Sequence, residues 1–209
     1  MVKMSRKHKI QQYYARRVFP DWEGYEILSW SSREAQHQRF QVLLDIMRSR
    51  FEEGDCPTLL DIGCGLAELA DFLEKAEFPV QYIGVDLTAE VLEEAAQRYP
   101  GLDLRLLDVF ADPSPFPEQS FDVVFASGIF NMELGNNNAF AVSGMQRMAS
   151  LAKQLAVANF LHHRCLFQHS ICHFYDPDEL MAQLRMKGVS LQLYENYLDN
   201  DFTLEFRRQ

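Results

Sequence analysis

The chain has 209 residues, of which 47% are hydrophobic and 24% are charged. This composition is typical of one globular domain with a sizeable core, and it excludes disordered, collagen-like and coiled-coil chains. No apolar run approaches the roughly 18 residues of a membrane-spanning helix. The N-terminus lacks the apolar stretch of a secretory signal, and the 4 cysteines include no Cys-x-x-Cys pair, so we expect a reducing, cytoplasmic setting.

The charge is divided unevenly along the chain. There are 20 Lys and Arg against 30 Asp and Glu, a net charge of −10. Because six of the basic residues and no acidic one fall within residues 1–20, the remainder carries −16. A body this acidic repels phosphate backbones, which excludes a nucleic-acid platform. The basic arm is suited to an anionic substrate, a membrane surface or an acidic partner, or it is only a solvated terminal helix. Its members are Lys3, Arg6, Lys7, Lys9, Arg16 and Arg17.

Short apolar runs then alternate with helical patterns, which is typical of β–α units in a parallel sheet. The turn between the last two strands is too short for a parallel crossover, so these strands form an antiparallel hairpin. The pattern predicts helices over 31–50, 68–77, 89–99, 139–151 and 177–187. It predicts strands over 58–62, 80–85, 102–107, 121–126, 154–160, 189–194 and 202–206. A proline-rich loop joins the third and fourth strands.

These elements predict one doubly wound α/β domain over residues 1–209, with a seven-stranded, mostly parallel sheet. Residues 1–50 form an N-terminal helical segment, and residues 58–209 form the Rossmann-like core. In such a domain ligands bind at the carboxyl ends of the strands.

The strongest chemical signal lies in the loop after the first strand. Gly63 and Gly65 permit a tight turn and the close approach of a ligand to the backbone. A dinucleotide fingerprint needs a further glycine where Glu68 stands. Asp61 and Glu68 would also place negative charge beside a pyrophosphate. Both carboxylates suit a cofactor that has an ammonium group and no phosphate.

Further acidic residues end the next two strands. Asp86 follows Gly63 by 23 residues, where a carboxylate accepts hydrogen bonds from both hydroxyls of a ribose. Asp108 ends the third strand and suits the amino group of an adenine. A fourth strand, residues 121–127, ends beside the glycine loop. Each feature alone is weak, since an acidic residue ends many strands, but the ordered set indicates a nucleoside site.

From about Thr58 onward the chain resembles the class I S-adenosylmethionine-dependent methyltransferases. The resemblance rests on Asp61-x-Gly63-x-Gly65, Asp86, Asp108 and the strand Phe121-Asp122-Val123-Val124. It implies a seven-stranded fold with an antiparallel final hairpin, S-adenosylmethionine as cofactor and S-adenosylhomocysteine as product. The cofactor-binding residues implied by the resemblance are Asp61, Gly63, Cys64, Gly65, Asp86, Leu87, Asp108, Val109 and Ser127.

Two local features refine this resemblance. Ala67 stands where the family often has a third glycine, and alanine is the smallest replacement, so we expect cofactor binding to survive. Residues 126–131 lack the Asn-Pro-Pro-Tyr type of amino-methylating site, and the chain looks more like the small-molecule branch of the class.

Methyl transfer from a sulfonium is an in-line displacement that needs mainly alignment, for which proximity and orientation supply roughly 7–11 kcal/mol. A general base adds about 10²–10⁴-fold where the nucleophile must lose a proton. The candidate catalytic residues are His162, His163, Asn131 and Glu133, with His169 and His173 as further candidate bases. The histidines share their segment with Cys165 and Cys172, but the paired spacing of a zinc site is absent, so we expect no bound metal.

The segment before the first strand is rich in aromatic residues, which need something to cover. One hypothesis is that residues 1–35 fold over the cofactor as a lid, which excludes water and holds the acceptor. Tyr13, Tyr14 and Trp30 would then face the substrate, with Arg16 or Arg17 near an anionic group. The alternative is that the rings only pack an outer helix onto the sheet.

The sequence therefore predicts methyl transfer to a small soluble acceptor at an O, N or C nucleophile, without a nucleic-acid or membrane partner. One alternative is a nicotinamide-dependent oxidoreductase, which Asp61 and Glu68 disfavour. Another is a module on the same fold that binds a nucleoside or a partner without catalysis. The acceptor and the oligomeric state stay open.

Overall fold

The computed structural model describes residues 5–19, 21–184 and 188–208. In this part of the chain, seven strands form one sheet. The strands are β1 (Thr58–Ile62), β2 (Gln81–Asp86), β3 (Asp103–Leu106), β4 (Phe121–Ser127), β5 (Ala152–Leu161), β6 (Val189–Tyr194) and β7 (Asp201–Arg208).

The strand order is β3-β2-β1-β4-β5-β7-β6. Strands β1 to β5 pair in parallel, and β7 lies between β5 and β6, antiparallel to both. This confirms the predicted doubly wound, mostly parallel sheet with an antiparallel C-terminal hairpin. The chain order reverses on either side of β1, so the carboxyl ends of β1, β2 and β4 border one crevice.

Helices cover the two faces of this sheet, and helices also form the N-terminal segment. They are α1 (Arg6–Tyr14), α2 (Gly24–Ile27), α3 (Arg33–Arg48), α4 (Glu68–Lys75), α5 (Ala89–Arg98), α6 (Asn137–Leu151) and α7 (Pro177–Gln183).

The helix and strand bounds agree with the sequence prediction to within two residues, except at the last helix. The predicted helix over 177–187 begins as expected, because Asp176 Oδ1 accepts a hydrogen bond from the amide of Asp178 at 2.9 Å. It ends at Gln183, and residues 185–187 lie outside the described residues. The predicted helix over 31–50 begins at Arg33, where the Ser32 hydroxyl accepts from the amide of Ala35 at 3.1 Å.

The core has two layers because side chains alternate between the faces of each strand. Leu59 packs with Val123 among side chains of α3 and α4. Its neighbour Leu60 packs with Val124 among side chains of α6 and α7. The register Leu59↔Val123 and Leu60↔Val124 places these pairs side by side in the sheet. Both layers support the same carboxyl edge, where the site lies.

Candidate active site

A cavity of 1290 Å³ lies at the carboxyl ends of β1, β2 and β4. Its floor includes Gly63, Gly65, Asp86 and Ser127, and its cover is formed by residues of the N-terminal segment up to Ser31. Small-molecule sites usually measure about 300–1,000 Å³. The space is therefore large enough for two ligands that must meet.

The glycine loop is tied to the end of β2 by its backbone. The amides of Gly63 and Cys64 both donate to the carbonyl of Val85, at 2.7 and 3.0 Å. Gly63 and Gly65 have φ values of +71° and +55°, a left-handed conformation that favours glycine. A Cβ on Gly63 would lie 2.3 Å from Cγ2 of Ile129. The loop thus presents bare backbone to the cavity.

Asp86 is fixed at the cavity wall by two backbone donors. Its Oδ2 accepts from the amide of Gly65 at 3.1 Å, and its Oδ1 accepts from the amide of Thr88 at 2.9 Å. Burial raises the pKa of this carboxyl, while the hydrogen bonds from Thr88 and Gly65 oppose that shift. The carboxylate is therefore held in place before any ligand arrives.

Asp61 does not line the cavity. Its Oδ2 accepts from the hydroxyl of Tyr82 at 2.7 Å, and burial raises the pKa of Asp61 to about 7. The alternation along β1 explains the placement, because the next residue, Ile62, faces the cavity and Asp61 points to the other side. The thiol of Cys64 is also buried away from the cavity, beside Gly84. This corrects the predicted direct ligand contact of Asp61 and Cys64, which support the loop from below.

Helix α1 lies across the far side of the nucleoside pocket. Nη2 of Arg6 lies 3.3 Å from both carboxylate oxygens of Asp108. Nε2 of Gln11 donates to the carbonyl of Leu87 at 2.8 Å. Leu87, Asp108 and Val109 all line the cavity, so α1 is fastened to residues that the sequence predicts for the cofactor.

The aromatic residues of the N-terminal segment line the same cavity. The hydroxyls of Tyr13 and Ser29 lie 3.1 Å apart, and burial raises the pKa of Tyr14. The Trp30 ring lies between Gly128 and Arg39, whose Cζ is 4.5 Å from the ring centroid. These rings line the cavity, as both the lid and the packing hypotheses require, so the lid stays a prediction.

Two buried polar atoms at the cavity wall have no hydrogen-bond partner among the described residues. They are Nε1 of Trp30 and Oγ of Ser127. Buried polar groups are normally paired, so these two atoms are exceptions among the residues that line the cavity.

Arg17 lines the cavity but is engaged by the backbone of α2. Its Nη2 donates to the carbonyl of Glu26 at 2.7 Å, and its Nε donates to the carbonyl of Ile27 at 3.1 Å. These bonds satisfy carbonyls at the end of a short helix. Arg17 thus supports α2 while it lines the cavity, and the prediction that Arg16 or Arg17 lies near an anionic group of the acceptor stays a prediction. Arg16 lines the cavity and is exposed.

His162 and His163 do not line the cavity. Leu161, the last residue of β5, faces it, so His162 points to the opposite side. There Nε2 of the buried His162 lies 2.8 Å from Oε1 of Glu195. His163 is exposed, with Nδ1 at 3.4 Å from Asp176. The placement contradicts the prediction that either histidine is a catalytic base.

Asn131 and Glu133 do face the cavity. Oε2 of Glu133 lies 2.9 Å from Nδ1 of His173, and the amide of Gly135 donates to its Oε1 at 2.6 Å. The hydrogen bond from His173 lowers the pKa of Glu133. Oδ1 of Asn131 accepts from the amide of Leu161 at 3.3 Å. A carboxylate and an amide are thus held opposite the glycine loop.

Sequence reasoning missed Arg6 and Gln11 as individual contacts. The signal was present as helical spacing, because residues three, four, seven and eight positions after Arg6 also line the cavity. This face mixes basic, apolar and aromatic residues, so it has no apolar period. The cavity-lining members of the spacing are Arg6, Lys9, Ile10, Tyr13, Tyr14 and Arg17.

Residues 59–154 match the sequence model of a family described as a methyltransferase domain. The glycine loop, Asp86 and strands β2 to β4 lie within the matched residues. The chain carries a class I S-adenosylmethionine-dependent methyltransferase domain. The cofactor of such a domain is S-adenosylmethionine.

Two relatives match part of this methyltransferase domain. The chain is 29% identical over 107 residues to the mitochondrial arginine-hydroxylase NDUFAF5 of Rattus norvegicus, covering 47% of this chain and 30% of that protein. It is 34% identical over 87 residues to demethylmenaquinone methyltransferase of Chlorobaculum tepidum, covering 41% and 35%. The chain thus spans about a third of the length of the curated relatives it matches.

Among solved structures, the fold is similar to magnesium protoporphyrin IX methyltransferase of Synechocystis PCC 6803 with bound S-adenosylhomocysteine. The TM-score is 0.66 at 15% identity, over 97% of this chain and 100% of that one. This likeness concerns the fold of the methyltransferase domain, which it matches over nearly the whole chain.

The residues present fit S-adenosylmethionine. Asp86 is preorganised as an acceptor for ribose hydroxyls. Gly63 and Gly65 line the cavity in a left-handed conformation, and the side chains of Ile129 and Leu28 lie where their Cβ atoms would be. The unpaired Oγ of Ser127 lies at the end of β4, beside that loop. No phosphate-binding feature is needed, in agreement with the acidic Glu68 at the start of α4.

The buried carboxyl of Asp61 predicts a pH-dependent stability for the methyltransferase domain. A folded-state pKa of about 7, above the ordinary value of 3.8, means that the folded form binds more protons between these two values. Stability from this group is therefore full at low pH and falls as pH rises toward 7, with a slope of up to about 1.4 kcal/mol per pH unit. We expect Asp61→Asn to flatten this slope in denaturant titrations from pH 4 to 7, whereas an unchanged slope would exclude Asp61 as its source.

The close packing of the Trp30 ring against Gly128 predicts that a larger residue at position 128 destabilises the fold. At φ +79°, a Cβ on Gly128 would lie 2.6 Å from Cη2 of Trp30, whereas Gly54 at φ +95° has open space around it. Both alanine variants incur left-handed strain of about 1–2 kcal/mol. Gly128→Ala is expected to lose about 1 kcal/mol more through overpacking and to shift the tryptophan emission. Equal losses in the two variants, with unchanged emission, would contradict this seating of Trp30.

Across residues 5–19, 21–184 and 188–208, no group of three His, Cys, Asp or Glu side chains converges as a metal site. The sequence prediction that no metal is bound stays a prediction. We expect a chelator to leave the unfolding temperature unchanged and elemental analysis to detect no zinc. A stoichiometric zinc signal with unfolding on chelation would refute it.

Proposed function

We propose that the domain transfers the methyl group of S-adenosylmethionine to a small molecule with an apolar body, at an O, N or C nucleophile. The observation that supports this most directly is the shared cavity. It contains the glycine loop and Asp86 on one side, Asn131 and Glu133 on the other, and an aromatic cover above both.

Bound S-adenosylmethionine supplies an electrophilic methyl group on a sulfonium. Asp86 would hold the ribose through its preset carboxylate, and α1, which contacts Asp108 through Arg6 and Leu87 through Gln11, would cover the nucleoside. Glu133 stays ionised because its pKa is lowered by His173, so it is suited to orient a nucleophile through a hydrogen bond, whereas the lowered pKa makes it a weak base. Alignment inside a covered cavity accounts for most of the expected rate enhancement.

The lining favours an acceptor with an apolar or aromatic body. Rings of Phe19 and Trp22 pack together with centroids 5.0 Å apart at the cavity, and Phe167 and Phe174 approach from the other side. Aromatic rings bind planar or apolar ligands with little loss of side-chain entropy. The curated relative from Chlorobaculum tepidum, named for demethylmenaquinone, supports a small-molecule acceptor.

Two other functions are less well supported. A nicotinamide-dependent oxidoreductase is expected to have a third glycine where Glu68 stands at the start of α4. The Glu68 carboxylate itself does not line the cavity, because its Oε2 accepts from Nε2 of Gln36 at 2.8 Å. A binding module without catalysis would not require an ionised carboxylate, such as that of Glu133, at the cavity. The rat relative is named an arginine-hydroxylase, which shows that likeness in this region alone does not define the reaction.

The decisive experiment is a label-transfer screen with methyl-labelled S-adenosylmethionine and a library of small apolar acceptors that carry O, N or C nucleophiles. We expect label in one acceptor class, and we expect Glu133→Gln to lower turnover while cofactor affinity is kept. Cofactor binding without transfer to any class would favour the binding module. Binding of NADH in its place would favour the oxidoreductase.

The remaining predictions on organisation are proposals of the same kind. We propose one domain over residues 1–209, a cytoplasmic location and no nucleic-acid partner. Among the helices that the structure describes, none is both long and apolar enough to cross a membrane.

A further inference from the structure

Exposed apolar side chains gather at the mouth of the cavity. Among the described residues, six large hydrophobic side chains are exposed. Four of them line the cavity, Leu166 lies in the same loop as Phe167 and Ile171, and Leu106 lies in β3 and does not line the cavity. Single exposed apolar residues are ordinary, whereas a contiguous group marks an interaction surface. We call the other five the apolar rim: Phe19, Trp22, Leu166, Phe167 and Ile171.

An acceptor inside the cavity does not account for the whole rim. Leu166 and Phe167 are 91% and 85% exposed, and Leu166 does not line the cavity. Both lie in the loop between β5 and α7, where Cys165 and Cys172 already stabilise tight turns through backbone bonds. The exposed side chains of Leu166 and Phe167 are therefore suited to contact a surface outside the cavity.

The charge beside the rim identifies the kind of surface. Residues 5–19 contain five basic and no acidic side chains, whereas the whole chain carries −10. Lys7 and Arg16 are exposed, and Arg16 lines the cavity mouth next to the rim. Exposed basic side chains beside Trp, Phe and Leu are the combination that binds an anionic lipid surface.

Carboxylates also lie near the mouth and limit the strength of such binding. Asp21 is exposed between Phe19 and Trp22 in the chain, and Glu26 and Glu133 line the cavity. Glu133 is bonded to His173, and the end of α2 near Glu26 is bonded to Arg17. The surface is mixed, so we expect reversible attachment rather than permanent anchoring.

We propose that the apolar rim seats the protein on the surface of an anionic lipid bilayer, with Leu166 and Phe167 entering the interface and the exposed Arg16 facing the lipid headgroups. This departs from the sequence prediction of no membrane partner. It opens the cavity toward the lipid, which is where apolar molecules concentrate. The proposal stands independently of the methyl-transfer reaction, because its test involves no turnover.

The test is co-sedimentation of the full chain with phosphatidylcholine vesicles that contain or lack phosphatidylglycerol. We expect binding to the anionic vesicles, reduced about tenfold or more in the double variant Leu166→Ser, Phe167→Ser. Arg16→Gln is expected to weaken binding about fivefold, and only on anionic vesicles. Leu106→Ser is the matched control, since it removes an exposed leucine of β3 that neither lines the cavity nor belongs to the rim, and it is expected to bind as the wild type does.

Thermal unfolding of each variant shows whether the fold is kept, as expected for side chains this exposed. Absence of wild-type binding to anionic vesicles would overturn the proposal, and so would equal binding by the double variant. Light scattering addresses the other occupant. A dimer that the double variant separates, together with no vesicle binding, would assign the rim to self-association and overturn the membrane assignment.

Discussion

Replacing Asp86 by alanine is expected to weaken the binding of S-adenosylmethionine about 10- to 150-fold in a calorimetric titration. A hydrogen bond to a charged group is worth about 1.5–3 kcal/mol, and each 1.4 kcal/mol is a factor of ten. The carboxylate is already held by the amides of Gly65 and Thr88 at 3.1 and 2.9 Å. It can therefore accept from the ribose hydroxyls without being reordered, and its removal loses both the bonds and the preorganisation.

A control is needed because Asp86 also fastens the glycine loop. Asp86→Asn keeps the side-chain shape and one acceptor oxygen, so it should keep the loop in place while it still loses affinity. Asp103→Ala removes an exposed carboxylate from β3 that pairs only with its neighbour Arg105, and it should bind as the wild type does. Unchanged affinity in both Asp86 variants would exclude the assigned nucleoside site.

The parts of the site that could be predicted are those set by local sequence. Gly63 and Gly65 were recognisable because a turn between a strand and a helix needs left-handed residues, and the structure gives both a positive φ. Asp86 and Asp108 could be predicted because each stands at the carboxyl end of a predicted strand. The strand bounds followed from runs of apolar residues, and all seven strands were predicted.

The alternation of side chains along β1 is sufficient to predict on which face of the sheet Asp61 lies. Ile62 faces the cavity and Asp61 does not, as the two-residue alternation of a strand requires. Asp61 stands close to the glycine loop in the sequence, but it still belongs to β1. A carboxylate that precedes the loop by two residues supports it from below and meets Tyr82.

Other contacts were beyond local reasoning because they join distant parts of the chain. His162 points to Glu195, which lies 33 positions later in the connection between β6 and β7. Arg6 meets Asp108 across 102 positions. Such pairs depend on where the C-terminal hairpin and the N-terminal segment fall in space. Four nearby histidines therefore predicted a catalytic cluster, whereas the structure turns two of them away from the cavity.

The N-terminal segment carries the second large expected effect. Deleting residues 1–20 is expected to lower S-adenosylmethionine affinity about tenfold and acceptor turnover 100-fold or more, because a misplaced acceptor by about 1 Å already costs about 10²-fold. The fold should persist, since every residue of α1 is exposed or half-buried. Cofactor titration, labelled-methyl transfer and thermal unfolding of the truncated chain provide the three measurements.

Point variants separate the cover as a whole from its single contacts. The Arg6–Asp108 pair is partly exposed and is worth about 1 kcal/mol at most, so Arg6→Ala should lower cofactor affinity only a few-fold. Gln11→Ala, which frees the Leu87 carbonyl, should act similarly, and the deletion should exceed both. Full turnover in the truncated chain would instead show that Tyr13 and Tyr14 only pack the outer helix. A loss in Arg6→Ala as large as in the deletion would assign the effect to the charge of Asp108 rather than to the exclusion of water.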